Sequence, residues 1–286
     1  MTAARVSPWF RRVLVVVAHE DDETACSVLL QRLREVQIVF ATDGAPTSEF
    51  FWHNYGSRQL YAAVRRAEAI RSLKIIGLEN PIFLQDSATD ECFRDQELHR
   101  FLEPALQALI QVAEGFKPDA LLAPAYEGGH PDHDVCSFLV YKLGELLSLP
   151  KWEMPLYYRS PEGILVHQEF RVPFGGEVLL YPTELELQRR DQMVKEYISQ
   201  PDASRFVCAH VERFRPQPVY NYSRSPHPGT LNYEFWGWPA TGKELCTAFE
   251  RFQTNGITAL KKRLQDRNSW DVLNLSTCDG FVALQS

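Results

Sequence analysis

The stretch VLVVVAHEDDE, residues 13–23, decides the fold. Val13 to Ala18 is a short, continuous, β-branched run, the pattern of a parallel strand covered on both faces. A helical spacing follows from about Glu23 to Arg34, carrying Ala25, Val28, Leu29 and Leu33, and Gln37 to Ala41 reads as a second strand. Strand, helix and strand at this spacing make a βαβ unit.

Outward from this unit, DGAPTSEFFWHNYGS, residues 43–57, has no clean period and many turn formers, so it reads as a long loop rich in aromatics. Ser57 caps a helix to about Lys74, a short strand follows at Ile82 to Leu84, a helix crosses Glu97 to Glu114, and Ala120 to Pro124 is a strand. That strand leads into YEGGHPDH, residues 126–133, and a helix to about Leu147. The alternation predicts an α/β chain with a Rossmann-like, doubly wound, mostly parallel sheet, whose ligands sit beyond the carboxyl ends of the strands. Beyond Leu149 the pattern changes and proline is frequent. A strand pair is expected from Leu156–Arg159 and Val178–Tyr181, then a helix over Thr183–Gln200, then mostly loops and a short helix. The expectation is one domain over residues 1–286, with a core in 1–150 and a C-terminal subregion of strands, one helix and loops in 151–286.

Lys plus Arg number 30 against 37 Asp plus Glu, a net charge of −7, the opposite of the basic footprint of a nucleic-acid binder. The cysteines, Cys26, Cys92, Cys136, Cys208, Cys246 and Cys278, form no close pair, which argues against a disulfide framework or a paired-cysteine zinc site and for a reducing cytoplasm. The apolar run after Arg11 and Arg12 is too short to target or span, and no stretch approaches the roughly 18 apolar residues of a membrane helix. A cytoplasmic protein without a membrane partner is expected.

Two polar clusters fall at expected strand ends. In the first, Ala18-His19-Glu20-Asp21-Asp22-Glu23, an imidazole and a carboxylate three apart can converge on one divalent metal, while a carboxylate between them faces water. The same acids could instead cap a helix N-terminus, which needs no metal. In the second, Gly128-Gly129-His130-Pro131-Asp132-His133-Asp134, histidines three apart could supply a third ligand and a separate catalytic imidazole. The alternative is a polar turn with Pro131 in the first helical turn. A doubly wound fold brings both clusters to one edge.

HEDDE at 19–23 and HPDH at 130–133 resemble the two signatures of the LmbE-like, or PIG-L, deacetylases, over roughly the first 150 residues. The family's first motif has proline where this chain has Glu20; Ala18, His19, Asp21, Asp22 and Glu23 match. The resemblance implies a zinc-dependent N-deacetylase with His19, Asp22 and His133 as metal ligands. It makes Asp21 the general base toward water and His130, as a protonated donor, the stabiliser of the tetrahedral oxyanion, with Asp132 orienting His130. Other first-row divalent ions would also suit such a site. RRAEAIRSLKIIGL, residues 65–78, resembles the family's RxxE helix and makes Arg65 a substrate-facing arginine, with a surface pair to Glu68 as the alternative; Asp86 takes the place of the family's sugar-binding aspartate, with a plain turn residue as the alternative. Glu20 is expected to accept from a substrate hydroxyl or to face solvent.

Phe51, Trp52 and Tyr55, with Tyr233, Trp236 and Trp238 of the late stretch TLNYEFWGWP, offer faces for sugar stacking or for core and subunit contacts. The expected partner is a small N-acetylated sugar or glycoside such as an N-acetylglucosamine derivative; a homo-oligomer would use the aromatic C-terminal region. Other readings are an amidase for a thiol-sugar conjugate, a divalent-metal phosphoesterase, disfavoured by few basic residues near the motifs, and an inactive sugar-binding homologue.

Overall fold

In the computed structural model, which describes residues 11–87, 93–173, 176–201, 207 and 210–256, β1 (Arg12–Val17) runs through the centre of the molecule with Leu14 to Val17 wholly buried. It pairs in parallel with β2 (Glu35–Phe40) on one side and β4 (Ala120–Pro124) on the other. Beyond β2 lies β3 (Ile82–Phe83), and beyond β4 lies β5 (Lys151–Met154), both also parallel. Two strands from the second half complete the sheet: β9 (Glu212–Pro216) runs antiparallel to β5, and β8 (Val178–Leu180) antiparallel to β9. The order β3-β2-β1-β4-β5-β9-β8 is that of the expected mostly parallel α/β sheet.

Helices cover both faces. On one, α3 (Leu102–Phe116) and α4 (Pro131–Leu147) bury Leu106, Leu109, Phe138 and Leu139 against Leu14 and Val16. On the other, α1 (Ser27–Arg32), α2 (Arg58–Ile75) and α5 (Glu184–Lys195) place Leu29, Leu73 and Met193 against Val15 and Val17. Ser57 caps α2 by accepting from the Leu60 amide, and Thr183 opens α5 through a reciprocal capping box with Glu186. Two further helices, α6 (Asn232–Phe235) and α7 (Gly242–Arg251), bring Tyr233 and Phe249 into the first core layer.

Three expectations change. The helix expected from Glu23 begins as a 3₁₀ turn over Asp22–Cys26 and becomes α-helical only at Ser27. The Glu212 carboxylate of β9 accepts from the Val28 and Leu29 amides at 2.8 and 2.9 Å and sets that start from a distance. The expected pairing of Leu156–Arg159 with Val178–Tyr181 does not occur. Instead β6 (Tyr157–Arg159) closes a hairpin with β7 (Leu165–His167) through a short turn, the lower-entropy closure, and β8 finds β9. β9 was hidden in a region read as loop, because ERFRP shows no alternation; Glu212 and Arg215 are nonetheless buried.

Cys26, Cys136 and Cys246 are free and buried; Cys92, Cys208 and Cys278 lie outside the described residues. Among the described residues no helix is long and apolar enough to cross a membrane.

Candidate active site

β1 and β4 are neighbours whose following helices pack on opposite faces of the sheet, so the crevice at their carboxyl ends is the switch point of the fold. Both polar clusters open into it. After β1, the Asp22 carboxylate turns back to accept from the Ala18 and His19 amides at 3.2 and 2.9 Å rather than capping a helix. This tight turn forces Asp21 to φ 119, a conformation that a side chain strongly disfavours. The surroundings hold it there. The Asp21 amide donates to Glu23 at 3.1 Å, the Thr24 hydroxyl donates to the Asp21 carbonyl at 2.5 Å, and Arg65 donates to Asp21 Oδ1 at 3.0 Å. Glu23 is itself fully buried and takes hydrogen bonds from Tyr197 at 2.5 Å and Ser72 at 3.1 Å.

After β4, Asp134 gathers the loop by accepting from the Glu127 and Gly128 amides at 3.2 and 3.1 Å and from the Tyr233 hydroxyl at 3.3 Å. His130 occupies the N-cap of α4, its Nδ1 accepting from the Asp132 amide at 3.1 Å, with Pro131 opening the helix. Gly129 must lack a side chain, since a Cβ there would drive into the carbonyl oxygen of Tyr157.

The two loops bring His19, His130 and His133 together, with ring centroids 4.2 Å (His19–His130), 5.3 Å (His19–His133) and 5.0 Å (His130–His133) apart. Asp22 bridges the outer pair, 3.4 Å from His19 Nδ1 and 3.1 Å from His133 Nε2. Ligand atoms of His19, His130 and His133 lie within 4.8 Å of one another, as do those of His19, Asp95, His130 and Asp132. Asp22 belongs to neither of these tight groups, although it touches two of the three histidines. Burial opposes charge on His19, but Asp95, Asp132 and Asp22 around it override burial and hold its imidazole well above the ordinary range. A pocket that so favours positive charge, built from nitrogen and carboxylate donors, suits a divalent cation. The buried His133 Nε2 and Asp95 Oδ1 also lack a hydrogen bond of regular geometry, as groups awaiting a ligand would.

Burial pushes the Asp21 carboxyl up to about 7, against the pull of Arg65. Burial and the neighbouring His19 push His130 down to about 4. Because Nδ1 accepts from the Asp132 amide, the ring proton resides on Nε2, 3.2 Å from Asp95 Oδ1. Asp132 orients His130 through its amide, while its carboxylate turns elsewhere. Its carboxylate is 3.9 Å from His130 Nδ1 and faces His19 Nε2 at 3.3 Å, while accepting from the Gln96 and Leu98 amides at 2.6 and 3.1 Å.

Asp86, Glu20 and Arg65 stand in three different settings. Asp86 lies outside the pocket, with 56% of its side chain exposed, where it grips Arg66 through two hydrogen bonds of 2.7 and 2.6 Å. Glu20 does not face solvent: it is 1% exposed, close against Gly44, and 3.7 Å from Arg65. Arg65 makes no surface pair with Glu68, which accepts from Ser199; its buried guanidinium reaches the pocket wall while donating to the carbonyls of Glu20 and Gly44 and to Asp21. The pocket carboxylate that the sequence did not flag is Asp95, within FRDQEL. Nothing in its spacing marks it, since it stands in a loop and is brought in by the fold. Tyr157 and Gln200 join the pocket from the C-terminal half in the same way, and of the aromatics considered Phe51, Trp236 and Trp238 line it.

The family described as GlcNAc-PI de-N-acetylase, PIG-L, matches residues 14–143. A solved deacetylase of the teicoplanin biosynthesis pathway is 16% identical, with a TM-score of 0.53, covering 72% of this chain and 97% of its own. A solved deacetylase of an antimicrobial pseudoaglycone is 18% identical, with a TM-score of 0.50, covering 72% of this chain and 96% of its own. At these identities the likeness is one of fold. No curated protein matches the sequence. Over residues 14–143, the chain resembles the LmbE-like, PIG-L deacetylases.

Proposed function

We propose that the protein hydrolyses the N-acetyl amide of an amino sugar or glycoside of the N-acetylglucosamine type, with zinc held by His19, Asp22 and His133. The observation that carries this is the meeting of those three side chains with Asp21 and His130 in one buried pocket at the sheet's switch point. Zinc bound there would supply Lewis acidity toward the carbonyl and toward water.

The remaining chemistry belongs to the chain. Asp21 takes a proton from the attacking water, its Oδ1 held by Arg65 and its backbone by Glu23. His130, neutral and protonated on Nε2, donates to the amide oxygen as negative charge grows there, a contribution on the order of 3 kcal/mol in comparable sites. Asp21 then returns the proton to the leaving nitrogen as the C–N bond breaks, so acetate and a free amine depart. Asp132 positions, binding the amides of the loop that carries Asp95 and fixing His19. The free, buried cysteines fit a reducing compartment.

The test joins metal analysis of the purified protein to amine release from N-acetylglucosamine, its short oligomers and its simple glycosides. Stoichiometric zinc, turnover abolished by chelator, and Asp21→Ala that keeps zinc but loses turnover are expected. Full turnover in zinc-loaded Asp21→Ala would overturn the mechanism. Absence of bound or activating metal would overturn the site, and phosphate release from esters without amine release would favour a phosphoesterase.

A further inference from the structure

Around the reactive groups the pocket wall is a closed circuit of rings. His130 meets Trp238 at 4.7 Å, Trp238 meets Trp236 at 4.9 Å, Trp236 meets Tyr157 at 6.3 Å, and Tyr157 meets His133 at 5.4 Å, closing on His130. Trp236 forms the outer rim, 38% exposed despite its size, whereas Trp238 and Tyr157 are half-buried.

This collar is rigidly tied to the catalytic loop. The Asn232 amide donates to the Gly128 carbonyl at 2.9 Å, its side chain donates to the Gly129 carbonyl at 3.1 Å, and Leu231 closes on Gly128 so tightly that a Cβ would clash. Tyr157 is fixed from the other side by its packing on Gly129. A wall held this firmly is pre-organised for a ligand and does not need one to fold.

Two of the polar side chains beside the collar are already engaged. Gln200 already donates to the Tyr61 hydroxyl, and Arg65 directs its donors at Gly44, Glu20 and Asp21. Against the faces of the collar rings a hydroxyl would lose water without regaining a hydrogen bond, whereas a flat apolar group would exchange water for ring contacts.

We propose that the collar receives an aryl group carried by the substrate beside its N-acyl bond, and that Trp236 sets the preference for it. This rests on the N-deacylation proposed above. The aryl group could belong to the aglycone or to the acyl part, since both adjoin the scissile amide.

The zinc-loaded full chain is assayed on the methyl and phenyl β-glycosides of N-acetylglucosamine, and on N-acetyl- and N-benzoylglucosamine. At least a tenfold lower KM is expected for the aryl member of one pair, and the pair that shows it names the source. In Trp236→Ala the KM ratio should fall below threefold, with Trp236→Phe restoring most of it. No aryl advantage in either pair, or an advantage untouched in Trp236→Ala, overturns the proposal. If no compound releases amine, the deacylation itself fails, and calorimetric binding of the two glycosides decides the collar alone. Tighter phenyl binding lost in Trp236→Ala supports it, and equal binding refutes it.

Discussion

Replacing Arg65 by methionine keeps most of its length and removes its charge at a point where the site has no substitute. The guanidinium is 4% exposed and donates to the carbonyls of Gly44 and Glu20 and to Asp21 Oδ1, with the Glu20 carboxylate 3.7 Å away. Methionine leaves the buried Glu20 carboxylate, the partly buried Asp21 carboxylate and two carbonyls facing an apolar side chain. Breaking a buried ion pair from one side costs about 3–5 kcal/mol, a substantial share of the roughly 5–15 kcal/mol that stabilises a domain. For a chain of this size that corresponds to a fall in Tm of about 10 °C. Calorimetric melting, with denaturant titration as a check on the slope, measures it. Arg65→Lys, which restores the charge but not the forked geometry, should recover part of the loss. A double-mutant cycle with Asp21→Asn should give a coupling of about 1–3 kcal/mol. A Tm within 3 °C of wild type for Arg65→Met, or zero coupling, would refute the view that this cation holds Asp21 in place.

Glu127 is a buried carboxyl pushed up to about 8 by burial, its Oε1 accepting from the Arg171 amide at 3.0 Å. A raised folded-state pKa means its stabilising effect is complete below about 4.5 and is lost as pH rises toward 8, at up to about 1.4 kcal/mol per pH unit. Glu127→Gln should therefore flatten the fall in Tm between pH 5 and 8, and an unchanged slope would count against this. Gly129→Ala must push Tyr157 away, so a loss of about 1–3 kcal/mol and weaker zinc retention by equilibrium dialysis are expected; a wild-type melting curve would show the packing to be looser than it stands. Asp86→Ala should leave kcat/KM within twofold of wild type, since its partner is Arg66 at the surface, and a tenfold loss would restore its sugar-binding role.

How much of this was legible in sequence follows from locality. VLVVVA and the two histidine motifs carry their meaning in adjacent residues, so β1, β4 and the approach of His19 to His130 and His133 could be read directly. Asp95 and Tyr157 could not, because their roles depend on which loop the fold lays beside which strand end. β9 was missed because its buried positions include Glu212 and Arg215, charges satisfied by α1 amides and by Glu153. The solvent-facing setting expected of Glu20 failed for a related reason. Judged by its place in a turn, it is governed here by Arg65 of α2.

Three side chains from the second half complete the first: Tyr197 braces Glu23, Glu212 starts α1, and Asn232 clasps Gly128 and Gly129. None touches the reacting atoms, yet the motif that defines the family would not keep its shape without them. Chimaeras that graft the C-terminal half of one relative onto the N-terminal half of another should therefore succeed or fail according to whether these three braces travel with the graft, whatever the degree of match in the motifs themselves.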